Sequence, residues 1–296
     1  MTKSLDGKVA VLTGASRNIG KAVAVELVSR GAKVVIGDIL DKQGEETVQE
    51  LNNSAGSKVA AYIHTDVTKY DDNVALFKLA EKEFGGVDIA FLNAGIGTNA
   101  NTMFMPLDDK LDERMLDINT TAVVKGTKVA MLHMAKRGGG AIVNTASVAG
   151  FLASPSVGIY AASKHGVVGW TRSCGIFKEV CNVRVNALCP YWVSTDLKTD
   201  LANKTNNDPF DTMVSSAPTT DMETVVEAVL RMIEDESLNS TTLLALPGNV
   251  IRAQEPIPPY PEILSEEYLS TVKKYQAESI AFYKQQLADA LKRYGI

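Results

Sequence analysis

From Lys8 to Leu246, short apolar runs alternate with longer stretches whose apolar residues recur every three or four positions. This alternation predicts successive strand–helix units around a parallel sheet. Strands are expected at Val9–Leu12, Val34–Gly37, Val59–Ile63, Ile89–Leu92, Ala141–Thr145, Arg184–Ala187 and Thr242–Ala245. Their nearly unbroken Val, Ile, Leu and Ala content suits a central α/β sheet covered by helices on both faces. The first helix should open near Asn18 and run to Ser29, with Gly31 placed to end it.

Two segments break the rhythm. Lys198 to Asp221 is rich in Asn, Thr, Asp and Ser with little periodicity, and reads as a long surface loop and a candidate substrate lid. Near Ala253, the run Gln254-Glu255-Pro256-Ile257-Pro258-Pro259-Tyr260-Pro261 forbids regular helix and predicts an extended connector. Beyond it, Tyr268, Val272, Tyr275, Tyr283, Leu287, Leu291 and Tyr294 recur at helical spacings, predicting an amphipathic helix with one apolar face. The polar face is not selectively basic, which favours docking on its own domain or a neighbouring subunit over a membrane surface.

Composition narrows the function classes. A chain of 296 residues suits one large α/β domain or two small ones and can bury a real core. The net charge of -5 argues against a nucleic-acid partner, because phosphate contacts need a basic face. Cys174, Cys181 and Cys189 lack metal-ligand spacing and fit reduced core thiols better than a disulfide framework. The polar stretch Met1 to Lys8 leaves no room for the apolar part of a signal peptide, and no run reaches the length of a membrane span. A soluble cytoplasmic enzyme is the expectation, without a metal.

Thr13-Gly14-Ala15-Ser16-Arg17-Asn18-Ile19-Gly20 lies between a strand and a helix, where a glycine-rich turn can set backbone N–H groups against a pyrophosphate. Glycines also end strands for structural reasons alone, so the turn needs support. Asp38 supplies it: at the end of the second strand its carboxylate could accept hydrogen bonds from two ribose hydroxyls and repel a 2′-phosphate. NAD is therefore favoured over NADP. Arg17 pulls the other way, since a guanidinium there could pair with that phosphate. Asp66 could accept from the adenine amino group or, equally, belong to a helix-capping turn with Thr68. Asn93-Ala94-Gly95 is small enough to pass beneath a cofactor, although Gly95 can equally be a simple turn residue.

Tyr160 and Lys164 stand four residues apart, on one face of a helix. A phenol with an ordinary pKa about 10 is a poor base at neutral pH until a nearby cation favours its anion, and Lys164 is such a cation. An oxidised nicotinamide would add a second positive charge, letting Tyr160 take a proton from an alcohol as hydride leaves carbon. Ser147, 13 residues earlier, could offer its hydroxyl to the substrate oxygen. Asn119, within a helix, could bend it and hold a water that links Lys164 to solvent. A Tyr/Lys pair at this spacing is by itself more often a solvated face; the order of all these residues along the alternating fold is what points to chemistry.

Over residues 5 to 248 the chain resembles the short-chain dehydrogenase/reductase family, through Thr13-Gly14…Gly20, Asp66, Asn93-Ala94-Gly95, Asn119, Ser147, Tyr160…Lys164 and Pro190…Thr195. The resemblance implies a Rossmann-type, doubly wound sheet of seven parallel strands with a C-terminal helical extension. Residues 1–250 would form the dinucleotide-binding catalytic domain, and 251–296 a Pro-rich connector and amphipathic helix. It implies a catalytic group of Ser147, Tyr160 and Lys164 with Asn119 as fourth member, and Lys164 also on the nicotinamide ribose. It further implies cofactor contacts from Gly14, Ser16, Arg17, Asn18, Ile19, Gly20, Asp38, Asp66, Val67, Asn93, Ala94, Gly95 and Pro190, with the Val193 backbone and Thr195 holding the carboxamide. A homodimer or homotetramer is expected.

The stretches Tyr160–Ser173 and Ile233–Asn239 are similar to the branch containing NAD-dependent 15-hydroxyprostaglandin dehydrogenase. That points to oxidation of a lipid-like or polyketide-like molecule. The prostaglandin enzyme carries a substrate-contacting Gln three residues before its catalytic Tyr, where this chain has Val157. Asn18 replaces the middle glycine of the nucleotide turn, which Asn tolerates because it visits left-handed backbone readily. Tyr191 replaces the glycine that usually follows Pro190 and, with Trp192, adds aromatic bulk beside the nicotinamide pocket. Met103, Phe104, Met105 and Leu152 are further candidates for an apolar wall, or ordinary apolar residues. The competing reading is a catalytically silent NAD-binding scaffold of the same fold.

Overall fold

The computed structural model describes residues 4–97, 104, 107–198 and 209–296. In chain order its elements are β1 (Val9–Thr13), α1 (Asn18–Ser29), β2 (Lys33–Asp38), α2 (Asp41–Ala55), β3 (Ala60–His64), α3 (Tyr70–Phe84), β4 (Ile89–Leu92) and α4 (Asp109–Leu116). A π-helical turn (Asp117–Thr121) leads into α5 (Ala122–Arg137), then β5 (Gly140–Thr145), α6 (Gly158–Ser173), α7 (Phe177–Cys181) and β6 (Val183–Pro190). After these come α8 (Pro209–Ser216), α9 (Met222–Glu234), β7 (Thr242–Leu246), β8 (Val250–Ala253) and α10 (Glu266–Tyr294).

The strands form one sheet in the order β3-β2-β1-β4-β5-β6-β7-β8. The seven expected strands are present and parallel; an eighth, β8, pairs antiparallel with β7 from Leu246↔Val250 to Leu243↔Ala253. β8 is an edge strand with little burial, so it lacks the apolar run that marks the others. It straddles the boundary expected at residue 250. Strand order reverses between β1 and β4, where Thr13 lies opposite Leu92. In open α/β sheets the crevice beyond the carboxyl ends at such a point is where ligands bind.

Alternation along each strand feeds two core layers. Ala10 and Leu12 of β1, Ile36 of β2 and Phe91 of β4 pack with Val23, Ala24 and Leu27 of α1 and Val225, Ala228 and Val229 of α9. Val9, Val11, Val35 and Ala90 point into the other layer, with Leu76 and Phe77 of α3 and Val129, Ala130 and Met134 of α5. Each fully buried side chain of this size contributes about 1.5–3 kcal/mol. Arg184 is a cation built into this framework next to α9. It is 6% exposed and donates to the carbonyls of Met232, Ile233, Asp235 and Leu238 at 2.6–3.1 Å. The first three carbonyls end α9, where the negative pole of the helix favours a cation, and that of Leu238 follows in the loop after it.

Two expectations change, one for an irregular segment and one for a thiol. Within Lys198 to Asp221, Pro209–Ser216 is helical, while residues 199–208 lie outside the described residues. Cys174 and Cys189 are buried free thiols, but Cys181 is only half-buried. The C-terminal helix exists and contacts α5 and α7, with the Tyr283 ring edge-on to Phe177 at 5.6 Å. Tyr268, Tyr275 and Tyr294 stay exposed, because 29 residues extend about 44 Å and outrun the five-residue α7. No described helix is long and apolar enough to cross a membrane.

Candidate active site

The nucleotide turn is shaped by two glycines. A Cβ on Gly14 (φ +62) would stand 2.6 Å from Ala94 Cα, and one on Gly20 would stand 2.5 Å from Ala15 Cα. The first lets the turn pass against the end of β4, and the second lets α1 pack onto it. Asn18 adopts φ 51, left-handed backbone that suits Asn. No side chain caps α1, whose N-cap residue is Arg17, so its first N–H groups remain available to an anion. Ile19 packs against the core. The Ser16 hydroxyl oxygen is buried without a hydrogen-bond partner. A buried orphan hydroxyl beside an uncapped helix start fits a phosphate-bearing dinucleotide, whose oxygens would satisfy both.

The carboxylate of Asp38 is buried and already oriented. Its two oxygens accept from the backbone N–H of Ser16 at 3.0 Å and of Leu40 at 3.2 Å. Asp66 takes the form of the capping turn: Oδ1 accepts from the Thr68 N–H at 3.0 Å and hydroxyl at 2.7 Å, and Oδ2 pairs with Lys69 at 3.3 Å. Burial works against this carboxylate, but the Thr68 and Lys69 contacts outweigh it and hold its pKa below the usual value. Neighbouring Val67 lines a small apolar cavity with Thr13, Leu92 and Ala94, and its carbonyl accepts from Asn73 at 2.8 Å.

Three strand ends are tied together beneath this turn. Thr13 Oγ1 accepts from the N–H groups of Asn93 and Ala94, Asn93 Nδ2 donates to the Gly14 carbonyl at 2.9 Å, and the Thr145 hydroxyl donates to Asn93 Oδ1 at 3.3 Å. Thr13 and Thr145 were not expected to have these roles. Thr13 opens the glycine-rich turn read from the sequence, whereas a Thr closing an apolar strand is the signal that Thr145 carries. A Cβ on Gly95 would meet Asn119 Oδ1 at 3.2 Å and Lys164 Nζ at 3.6 Å, so Gly95 is more than a turn residue.

Asn119 sits, fully buried, in the π-helical turn. The turn is irregular helix, of the kind at which helices can bend. Its amide clamps Ile96, accepting from the Ile96 N–H at 2.8 Å and donating to the Ile96 carbonyl at 2.9 Å; it also reaches the Ser163 hydroxyl at 3.2 Å. Ser163 in turn donates to the Tyr160 carbonyl at 2.7 Å. This ties the segment after β4 to the helix that carries Tyr160.

Tyr160, Lys164 and Ser147 come together at the carboxyl end of β5. Lys164 Nζ donates to the Thr145 carbonyl at 2.9 Å and lies 5.7 Å from the centre of the Tyr160 ring. Burial lowers the Lys164 pKa from 10.5 to about 8. Tyr160 is half-buried. Burial raises the phenol above its ordinary value, and a hydrogen bond with the Ser147 hydroxyl opposes that rise. Ser147 Oγ also accepts from the Ala149 N–H at 3.1 Å. The thiol of Cys189, behind this group, is pushed up to about 12 by burial.

Over the phenol lies an apolar cluster of Met115, Val157, Phe210 and Val214, packed with Ile96, Ile159, Tyr160, Trp192 and Leu197. The Trp192 ring stands edge-on to Tyr191 and to Phe210, each at 6.2 Å. Thus α8, in the segment read as a loop, supplies residues to the site that periodicity did not reveal. Phe104 and Leu152 are exposed and take no part in the cluster; Met103 and Met105 lie outside the described residues. Pro190 ends β6, Val193 is buried and bridges to Thr220, and Thr195 Oγ1 lies 3.4 Å from the Val193 carbonyl.

The short chain dehydrogenase family matches residues 8–206. Human 15-hydroxyprostaglandin dehydrogenase [NAD(+)] is 30% identical over 263 residues, 85% of this chain and 95% of its own length. Cis-4-hydroxycyclohexanecarboxylate dehydrogenase of Sinomonas cyclohexanicum is 38% identical over 197 residues, 67% of this chain and 78% of its own. A crystal structure of a short-chain alcohol dehydrogenase, so assigned by likeness, from Sinorhizobium meliloti 1021 superimposes with a TM-score of 0.73 at 26% identity, covering 84% of this chain and 98% of that one. Fold, site geometry and these likenesses agree that the chain belongs to the short-chain dehydrogenase/reductase family of nicotinamide-dependent oxidoreductases, in the branch that contains 15-hydroxyprostaglandin dehydrogenase.

Proposed function

We propose that this enzyme transfers a hydride between NAD(H) and a secondary alcohol or ketone of a medium-sized apolar molecule, lipid-like or polyketide-like in character. The observation that carries the reading is the grouping of the Ser147 hydroxyl, the Tyr160 phenol and the Lys164 ammonium beneath a cluster of apolar side chains. The oxidised nicotinamide, when bound, supplies the hydride acceptor and a positive charge near the phenol.

In alcohol oxidation Tyr160 would act as its phenolate, which the charge of Lys164 and of an oxidised nicotinamide would favour against the burial that raises the phenol; the substrate hydroxyl proton passes to Tyr160 Oη while hydride leaves the carbon that bears that hydroxyl. Ser147 donates to the substrate oxygen and keeps it at the phenol. Lys164 holds positive charge beside the ring and, with Thr145 as anchor, is placed for the nicotinamide ribose. Asn119 fixes Ile96 and Ser163, so the two walls of the site keep their spacing. The Val193 backbone and Thr195 would hold the carboxamide. Asp38, fixed by two backbone donors, would take the ribose hydroxyls and repel a 2′-phosphate, which favours NAD. In the same reading the enzyme is a cytoplasmic homodimer or homotetramer, with residues 251–296 an appendage to the catalytic domain; sedimentation of the full chain reads the assembly state directly.

Tyr160→Phe removes only the proton carrier. Turnover of NAD with a panel of apolar secondary alcohols should fall by at least about 10², while NADH affinity changes less than about threefold. Undiminished turnover in that variant refutes the mechanism. A wild type that binds NADH yet turns over no member of the panel would favour a silent scaffold instead.

A further inference from the structure

Asp196 joins the nucleotide turn to the segment after β6, 178 residues away in sequence. One of its oxygens, Oδ2, accepts from Asn18 Nδ2 at 3.0 Å and faces Arg17 Nη1 at 2.8 Å. Both donors belong to the turn. Asn18 is held in left-handed backbone, and a glycine there would have no side chain to offer Asp196. Arg17 is the only Lys or Arg between Thr13 and Gly20. Lys21, just beyond, is paired with Glu50 at 2.6 Å.

We propose that Asp196 is a determinant of dinucleotide choice that acts through Arg17: by pairing with the guanidinium it withholds the one cation of the nucleotide turn from a 2′-phosphate. Asp38 repels that phosphate, and Asp196 removes the group that would compensate for the repulsion. Asn18 provides the second anchor that keeps the carboxylate on the turn. The Arg17 and Asp196 side chains are each about half exposed, at 49% and 53%. A pair of that exposure is weak in isolation; its consequence lies in how the charge of Arg17 is spent. The inference rests on the NAD-dependent reading above.

The test compares dissociation constants for NADH and NADPH, read by nucleotide fluorescence at one fixed ionic strength, in wild type, Asp196→Ala, Asp196→Glu, Arg17→Ala and the Arg17→Ala/Asp196→Ala double variant. Asp196→Ala should shift the NADH/NADPH affinity ratio roughly fivefold toward NADPH, the scale expected from one released charge pair near the surface. Asp196→Glu should keep the wild-type ratio, and removal of Arg17 should abolish the shift. A ratio unchanged in Asp196→Ala overturns the proposal, as does a shift that persists without Arg17, which would mean simple loss of negative charge. A wild type that prefers NADPH, or binds neither dinucleotide, overturns the NAD reading and this inference together. A wild type that prefers NADH with an insensitive Asp196 overturns only the latter.

Discussion

Holding Lys164 as a buried ammonium costs stability, and the cost follows from its surroundings. The side chain is 3% exposed. It donates to one carbonyl, that of Thr145. Burial brings its pKa from 10.5 to about 8. Because the folded pKa lies below the unfolded one, the unfolded chain binds more protons between about pH 8 and pH 10.5, so stability rises with pH through that window. Below the window the penalty is complete, about 3 kcal/mol at about 1.4 kcal/mol per pKa unit. Lys164→Met lifts the penalty but orphans the Thr145 carbonyl, which costs about 1–2 kcal/mol. The variant should therefore be about 1–2 kcal/mol more stable than wild type near pH 7, although inactive. Raising the pH to about 9.5 should return about 2 kcal/mol to the wild type and none to the variant, closing or reversing the gap. Urea unfolding of both proteins at the two pH values measures this, and other titrating groups cancel in the difference. A gap that does not change with pH refutes the reasoning.

Asp38→Ala should raise the NADP/NAD ratio of kcat/KM by roughly tenfold or more, and should also lower the thermal midpoint because the Ser16 and Leu40 N–H groups lose their acceptor; steady-state kinetics with both dinucleotides and a melting curve read the two effects separately. Arg184→Met should destabilise the fold by about 2–4 kcal/mol, since the carbonyls of Met232, Ile233 and Asp235 at the end of α9 lose this donor, while that of Leu238 keeps Asn186. Because Arg184 lies far along β6 from Pro190, KM for dinucleotide in the folded fraction should stay within about twofold of wild type; denaturant titration and kinetics together check it.

Strands buried on both faces were legible because burial leaves an apolar run, as in Val9–Thr13, where every residue is buried. The nucleotide turn and the Tyr160/Lys164 pair were legible because their chemistry requires particular residue types at fixed spacings. β8 was not, since an edge strand with one face open to solvent needs few apolar residues. α8 escaped because Phe210 and Val214 are its buried contacts in eight residues, too short a stretch to establish a period. The Asp196 contact depends on where two distant loops meet, and no local pattern encodes it. The sequence offers Arg17 as a possible phosphate partner, but the carboxylate of Asp196 that pairs with it is visible only in three dimensions.

The same contrast governs what can be said of the substrate. Around the phenol, the side chains of Met115, Val157, Trp192, Leu197, Phe210 and Val214 form an apolar packing, and the polar groups at its base are the hydroxyls of Ser147 and Tyr160. Both are committed to the reacting oxygen in the proposed mechanism. A second polar group placed close to the carbinol carbon would then be buried without a partner, at a cost of about 1–3 kcal/mol. In the proposed reading, a wall of apolar side chains would select against such molecules by leaving them unpaired. Val157 is the sharpest instance: a Gln there could meet a polar substituent, whereas Val157, 8% exposed, offers only methyl groups. In the proposed function, discrimination would therefore rest on shape and on Trp192 and Phe210, whose rings stand edge-on at 6.2 Å in the cluster against Tyr160.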